Sequence, residues 1–92
     1  MQYSSDAAKR ASDLKKHGYD FNDAYLVMES DATVTFEDNR YDYGEARFVT
    51  LGVLRGVLVQ IVTAEMGEDI RVISIRKADR YEQKIYHENS WR

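Results

Sequence analysis

Two arginines and a lysine in one apolar segment have side chains suited to binding phosphate. The segment from Arg71 to Ala78 reads Arg-Val-Ile-Ser-Ile-Arg-Lys-Ala, typical of a strand that leads into a helix. A helix start exposes backbone N–H groups, and a guanidinium group can bind phosphate through two parallel hydrogen bonds. Arg76, at the predicted strand–helix junction, is therefore the first candidate. The alternative is that Arg71, Arg76 and Lys77 only solvate a strand edge and a helix end.

A second pair with suitable chemistry is Glu45 and Arg47, which lie two apart on a predicted strand and so share a face. They can act as a base and a phosphate ligand, or form a surface ion pair of small energetic value. Arg71 and Arg76 are five apart, so a regular strand points them to opposite faces. We therefore expect either that the strand ends at Ile75 and Arg76 turns with the helix, or that one arginine alone is functional.

Three further side chains are candidates. His17 stands at the predicted end of the first helix, where the helix dipole favours a protonated imidazole, so it can act as a general acid or simply cap helix carbonyls. Its neighbour Lys16 can contact phosphate, although exposed lysines at helix ends are usually only solvated. Tyr86, on the predicted last helix, can hydrogen-bond phosphate, stack on a base, or pack as an amphipathic residue.

Composition limits the remaining chemistry. The chain has 92 residues, 43% of them hydrophobic, which predicts a single domain over residues 1–92. The absence of cysteine excludes disulfides and thiolate catalysis. His17 and His87 lack the spacing of metal ligands, so a metal hydrolase ranks last and we expect neither metal nor cofactor.

Charge is unevenly distributed along the chain. The net charge of -3 combines 0 for residues 1–24, -5 for residues 25–45 and +2 for residues 46–92. The overall sign argues against indiscriminate nucleic-acid binding, while the pattern allows a local cationic site or docking to a basic partner. The longest apolar run, Gly56 to Ala64, is too short to span a bilayer, so we expect a soluble cytoplasmic protein.

The periodicity predicts an α+β fold that holds these residues. Ser4, Ser5 or Asp6 caps a first helix that ends at Gly18, and Asp20 with Asp23 forms a variant capping box for a short second helix. A four-stranded antiparallel meander and a C-terminal helix follow, and we expect one sheet face to pack on the first two helices while the other stays partly open. The predicted strands are residues 32–37, 45–54, 57–64 and 69–75, and the last helix is residues 78–89.

Three sequence blocks carry a resemblance. They are Asp6, Lys9, Leu14, Lys16, His17, Gly18, Phe21 and Ala24; Gly44, Glu45, Arg47, Phe48, Val49, Thr50 and Gly52; and Arg71 to Ala78 with Glu82 and Tyr86. In this order and spacing the chain resembles the BrnT family of bacterial type II toxins, small ribonucleases with a RelE-like fold. Two departures are Ser5, where the family usually has Trp, and Asp13, where it usually has Asn. The first weakens N-terminal packing and the second alters a hydrogen bond.

The resemblance implies metal-independent RNA cleavage, in which the 2'-hydroxyl attacks the adjacent phosphate. This reaction needs a base, an acid and cations that stabilise the transition state. The candidates are Arg76, His17, Arg47 and Glu45 for catalysis, and Lys16, Arg71, Lys77 and Tyr86 for substrate binding.

The resemblance also implies partners. These are an RNA substrate and a BrnA-type ribbon-helix-helix antitoxin, with operator DNA bound only through the antitoxin. Either a homodimer or a toxin–antitoxin hetero-oligomer is expected, and no membrane partner. The alternative function is a catalytically inactive module on the same scaffold that acts through a DNA-binding antitoxin.

Overall fold

A computed structural model describes residues 2–40, 42 and 44–89, with side chains from Ser5 onward. These residues form five strands and three helices, and the α+β class is confirmed. In chain order the elements are β1 (Gln2–Ser5), α1 (Ala7–His17), α2 (Phe21–Met28), β2 (Val34–Glu37), β3 (Ala46–Leu54), β4 (Val57–Met66), β5 (Asp69–Lys77) and α3 (Arg80–Asn89).

The strands form one sheet in the order β1-β5-β4-β3-β2. Strands β2 to β5 are the predicted antiparallel meander. Strand β1 was not predicted; it pairs in parallel with residues 69–72 of β5 and lies at the opposite edge from β2. Its four residues are too few to show an alternating pattern, and its partner is some 67 residues away, since Gln2 pairs with Asp69.

Both N-terminal helices are capped as their sequences predict. The Asp6 side chain accepts a hydrogen bond from the Lys9 N–H, and Gly18 ends α1 in the left-handed conformation at φ 79°. The Asp20 and Asp23 side chains form the reciprocal capping box at the start of α2. Asp6 is thus the N-cap among the three candidates, and the side chain of Ser4 lies outside the described residues.

The main core lies on one face of the sheet, here called the core face. Phe21, Ala24 and Val27 of α2 are buried there against strand residues that include Val59 and Ile75. Helix α1 is held at the edge of β5, where the Ile75 N–H donates a hydrogen bond of 3.1 Å to the Asp13 carboxylate. Because β1 pairs with β5 only as far as Val72, this backbone donor takes a side-chain acceptor. The aspartate therefore supplies the acceptor that an asparagine oxygen would supply.

Helix α3 packs on the opposite face, here called the outer face. The strand register places Val49 and Leu51 on this face, and both are buried, as expected where a helix covers them. Tyr86 ties the helix to the segment before β2 by donating a hydrogen bond of 3.0 Å to the Ala32 carbonyl. The outer face is thus covered at one end and more open at the other.

A bulge in β5 changes which residues share the outer face. The pairing with β4 steps from Val62–Ser74 to Thr63–Val72, which leaves Ile73 as an extra residue. Arg71 consequently pairs with Ala64, and Arg76 pairs with Gln60. These two β4 residues are four apart, so they lie on the same face of the sheet. The prediction that the two arginines point to opposite faces is therefore wrong. Strand β5 also continues to Lys77, so Arg76 belongs to the strand and does not turn with the helix.

The ion pair between α1 and α2 should make stability depend on acid pH. The Arg10 guanidinium donates to both Asp20 oxygens, and with the Asn22 N–H it lowers the pKa of that carboxyl from 3.8 to about 2. A depressed carboxyl pKa stabilises the fold above the unfolded-state value, and the stabilisation is lost as the pH falls from about 4 to about 2. Urea unfolding at pH 6 and pH 2 should therefore show a smaller stability difference in Asp20→Asn than in the parent.

Asp31→Asn is a suitable control for this measurement, because Asp31 is an exposed carboxylate that forms no ion pair with any of the described residues. Equal losses of stability in the parent and in Asp20→Asn across this pH range would contradict the assignment.

Candidate functional site

The more open part of the outer face carries a cluster of one carboxylate and two guanidinium groups. Arg47 of β3 and Arg71 of β5 both pair with Ala64 of the intervening strand β4, so they flank its small, buried side chain. Glu45, just before β3, reaches between them. Its Oε1 accepts hydrogen bonds from Arg71 Nη2 at 2.9 Å and from Arg47 Nη2 at 3.4 Å. The structure thus joins three predicted site residues, here called the Glu45 cluster.

A cavity of about 260 Å³ adjoins this cluster at the start of α1. Lys9, Arg47 and Arg71 contribute three positive charges to its lining, against one negative charge from Asp6. Adding Glu45 leaves a formal surplus of one positive charge (+3 - 2 = +1). Arginine and lysine beside the first turn of a helix form an environment that favours an anion. The arrangement is suited to binding a phosphate diester.

Arg76 lies in a different electrostatic environment. Its guanidinium donates to both oxygens of Glu82, at 2.9 and 3.1 Å, and to the Lys77 carbonyl at 3.0 Å. Glu82 is buried and also accepts hydrogen bonds from Gln60 Nε2 and from the Asp79 N–H. The pair is therefore neutral, and Arg76 holds α3 against the sheet. This contact offers less attraction to phosphate than the Glu45 cluster does.

Comparison with known protein families identifies the family to which the chain belongs. A family model described as the ribonuclease toxin BrnT of type II toxin-antitoxin systems matches residues 6–82. The chain belongs to the BrnT family. A search of curated proteins gives no significant match. The matched range includes the whole Glu45 cluster, the adjoining Lys9, and Arg76 with its partner Glu82, whereas Tyr86 lies beyond it.

The other BrnT site candidates lie apart from the Glu45 cluster. His17 is the last residue of α1, and the eight residues from Lys9 to His17 span about 12 Å along the helix axis. Lys16 is exposed beside it. Lys77 pairs with the core-face residue Val59, opposite in parity to Arg76. The Tyr86 hydroxyl donates a hydrogen bond to the Ala32 carbonyl, so its observed contact is structural.

Two residues at these sites, Lys9 and Glu82, belong to the sequence blocks that carry the resemblance but were not predicted to be site residues. Lys9 lines the small cavity, but a lysine in the first turn of a helix gives no local signal of what it faces. Glu82 had a signal: Asp79 and Glu82 are spaced as a capping box, and each accepts the other's backbone N–H, at 2.8 and 2.9 Å. That spacing also places a carboxylate near the end of β5, where Arg76 stands.

Within the described part of the chain, no three His, Asp or Glu side chains are grouped to hold a metal ion. Its helices are also not long and apolar enough for any of them to cross a membrane.

Proposed function

We propose that this BrnT-family chain cleaves RNA by attack of a 2'-hydroxyl on the adjacent phosphate, with the reaction located at the Glu45 cluster and not at Arg76. The observation that carries the proposal is the sharing of one carboxylate by two guanidinium groups beside a lysine-lined cavity. This combination supplies a base and a surplus of positive charge within one site.

Each group has a role in the proposed step. Among the described residues, both donors to Glu45 use Oε1, which leaves Oε2 to take the proton of the 2'-hydroxyl. The 2'-oxygen then bonds to phosphorus as the bond to the 5'-oxygen breaks. Arg47 and Arg71 stabilise the added charge on the phosphate oxygens. The Lys9 ammonium supplies a proton to the departing 5'-oxygen, because His17 lies too far along α1 to reach it.

The mechanism predicts cleavage that needs the 2'-hydroxyl and no divalent metal. The purified protein should cut a short RNA in EDTA, leaving a 2',3'-cyclic phosphate, as mass spectrometry of the fragments would show. A matched oligonucleotide with a single 2'-deoxy substitution at the cut site should stay intact there. Cleavage of that oligonucleotide at the same bond, or cleavage only with added Mg²⁺, would refute the proposed attack.

We further propose that the antitoxin expected for a type II system is of the BrnA type, with a ribbon-helix-helix domain that carries the complex to operator DNA. The support is membership of the BrnT family. A purified complex with such a partner should lack RNase activity and bind operator DNA, whereas the toxin alone should not bind it. If RNA is not cleaved but the complex still binds DNA, the chain is an inactive binding module.

A further inference from the structure

A second and larger cavity lies on the outer face, in a groove between β2 and α3. It has a volume of about 710 Å³, which is large enough for a nucleobase and its sugar. Two exposed aromatic side chains line it, Phe36 of β2 and Tyr81 of α3, with exposures of 38% and 73%. A large aromatic side chain left in water beside a groove gives a planar ligand a surface on which to stack.

The charge of this groove differs in sign from that of the small cavity. Its lining includes four acidic residues, Glu37, Asp38, Asp79 and Glu82, and two basic residues, Arg40 and Arg76. The resulting net charge of -2 among the lining residues disfavours a phosphate inside the groove. A nucleobase is uncharged, so it meets no such penalty and gains from the aromatic surfaces. The two cavities thus suit different parts of one nucleotide chain.

The strand register connects the two cavities. Arg71 lines the small cavity and Arg76 lines the groove, and the bulge at Ile73 places both on the outer face. Their partners Ala64 and Gln60 are four residues apart on β4, a separation of about 14 Å. An RNA strand with its reacting phosphate at the Glu45 cluster therefore extends along β5 to reach the groove.

We infer that the groove between β2 and α3 is a base-binding subsite, in which a nucleotide beyond the two that the cut separates stacks on Phe36 and Tyr81. This inference rests on the proposed function, since it extends the same RNA strand from the reacting phosphate. The inference assigns Tyr81 a role in binding RNA. The side chain is exposed, so packing in the protein does not explain an aromatic ring at this position.

The test uses a six-nucleotide RNA with 2'-O-methyl groups, which the proposed attack cannot cleave. Fluorescence anisotropy should show about tenfold weaker binding by Tyr81→Ala and by Phe36→Ala, whereas Tyr81→Phe keeps the ring and should bind as the parent does. Leu26→Ala, which alters an exposed apolar residue of α2, is the matched control and should have no effect. Thermal unfolding of each variant separates lost stacking from lost folding.

Cleavage kinetics add a second measurement on unmodified RNA. The two alanine variants should raise KM for a hexanucleotide more than for a dinucleotide, because the dinucleotide does not reach the groove. Parent-like binding and KM in both variants would overturn the subsite and leave the proposed cleavage mechanism standing. A parent that binds the hexanucleotide through these rings without cutting RNA would instead refute the catalytic proposal alone. Variants that lose only antitoxin affinity would assign the groove to protein docking and overturn the inference.

Discussion

Glu82→Ala is expected to destabilise the protein by about 2–4 kcal/mol, less than the loss of one partner from a fully buried ion pair, because the Arg76 side chain is 34% exposed. The Glu82 side chain is only 9% exposed and accepts hydrogen bonds from Gln60, from Arg76 and from the Asp79 N–H. Its loss removes the carboxylate that accepts from the Arg76 guanidinium and the Gln60 amide, and it removes half of the α3 capping box. Urea unfolding followed by circular dichroism would measure the change.

Glu88→Ala is the matched control, because Glu88 lies on the same helix but is 62% exposed and 4.0 Å from its partner Lys84. It should change the free energy of unfolding by less than about 0.5 kcal/mol. A loss below about 1 kcal/mol for Glu82→Ala would show that α3 is held mainly by its apolar contacts, such as those of Ile85.

Arg71→Ala is expected to lower the rate constant of RNA cleavage by about 10²–10³-fold, the usual effect of removing one charge-stabilising donor from a transition state. Arg71 donates the shorter of the two hydrogen bonds to Glu45 and lines the cavity proposed for the phosphate. Its side chain is 47% exposed, so the variant should still fold. Single-turnover cleavage of a defined oligonucleotide would report the rate, and thermal unfolding would confirm the fold.

Arg55→Ala is the control for this measurement, since Arg55 is an exposed arginine in the β3–β4 hairpin, at the opposite end of the sheet from Glu45. Its rate should match that of the parent. Arg76→Ala provides the decisive comparison. If it lowers the cleavage rate of folded protein more than Arg71→Ala does, the phosphate binds beside Glu82 and the Glu45 cluster is a structural ion pair.

Local sequence patterns were sufficient to predict most of the scaffold. The caps of α1 and α2 depend on residues within a few positions of each other, and the meander follows from alternation and short turns such as Arg55-Gly56. The shared face of Glu45 and Arg47 follows from the same two-residue period. These features need no knowledge of distant contacts.

The remainder depends on contacts between distant residues. Glu45 and Arg71 are 26 positions apart, and nothing near either one in the sequence reveals the other. Arg76 is the first candidate from the sequence, but its partner Glu82 comes from the following helix and neutralises it. Strand β1 pairs with the last strand of the sheet, which no local period can show.

Ile73 shifts the alternation of side chains along β5 by one residue, which affects how this strand is aligned with other sequences. The alternation of side chains between the two faces of β5 must therefore be counted separately before and after Ile73. A deletion of this one apolar residue would remove none of the charged side chains of the site. A regular pleat would nevertheless turn Arg71 away from Glu45 or Arg76 away from Glu82. The number of residues between the two arginines is therefore as much a part of this surface as the arginines themselves.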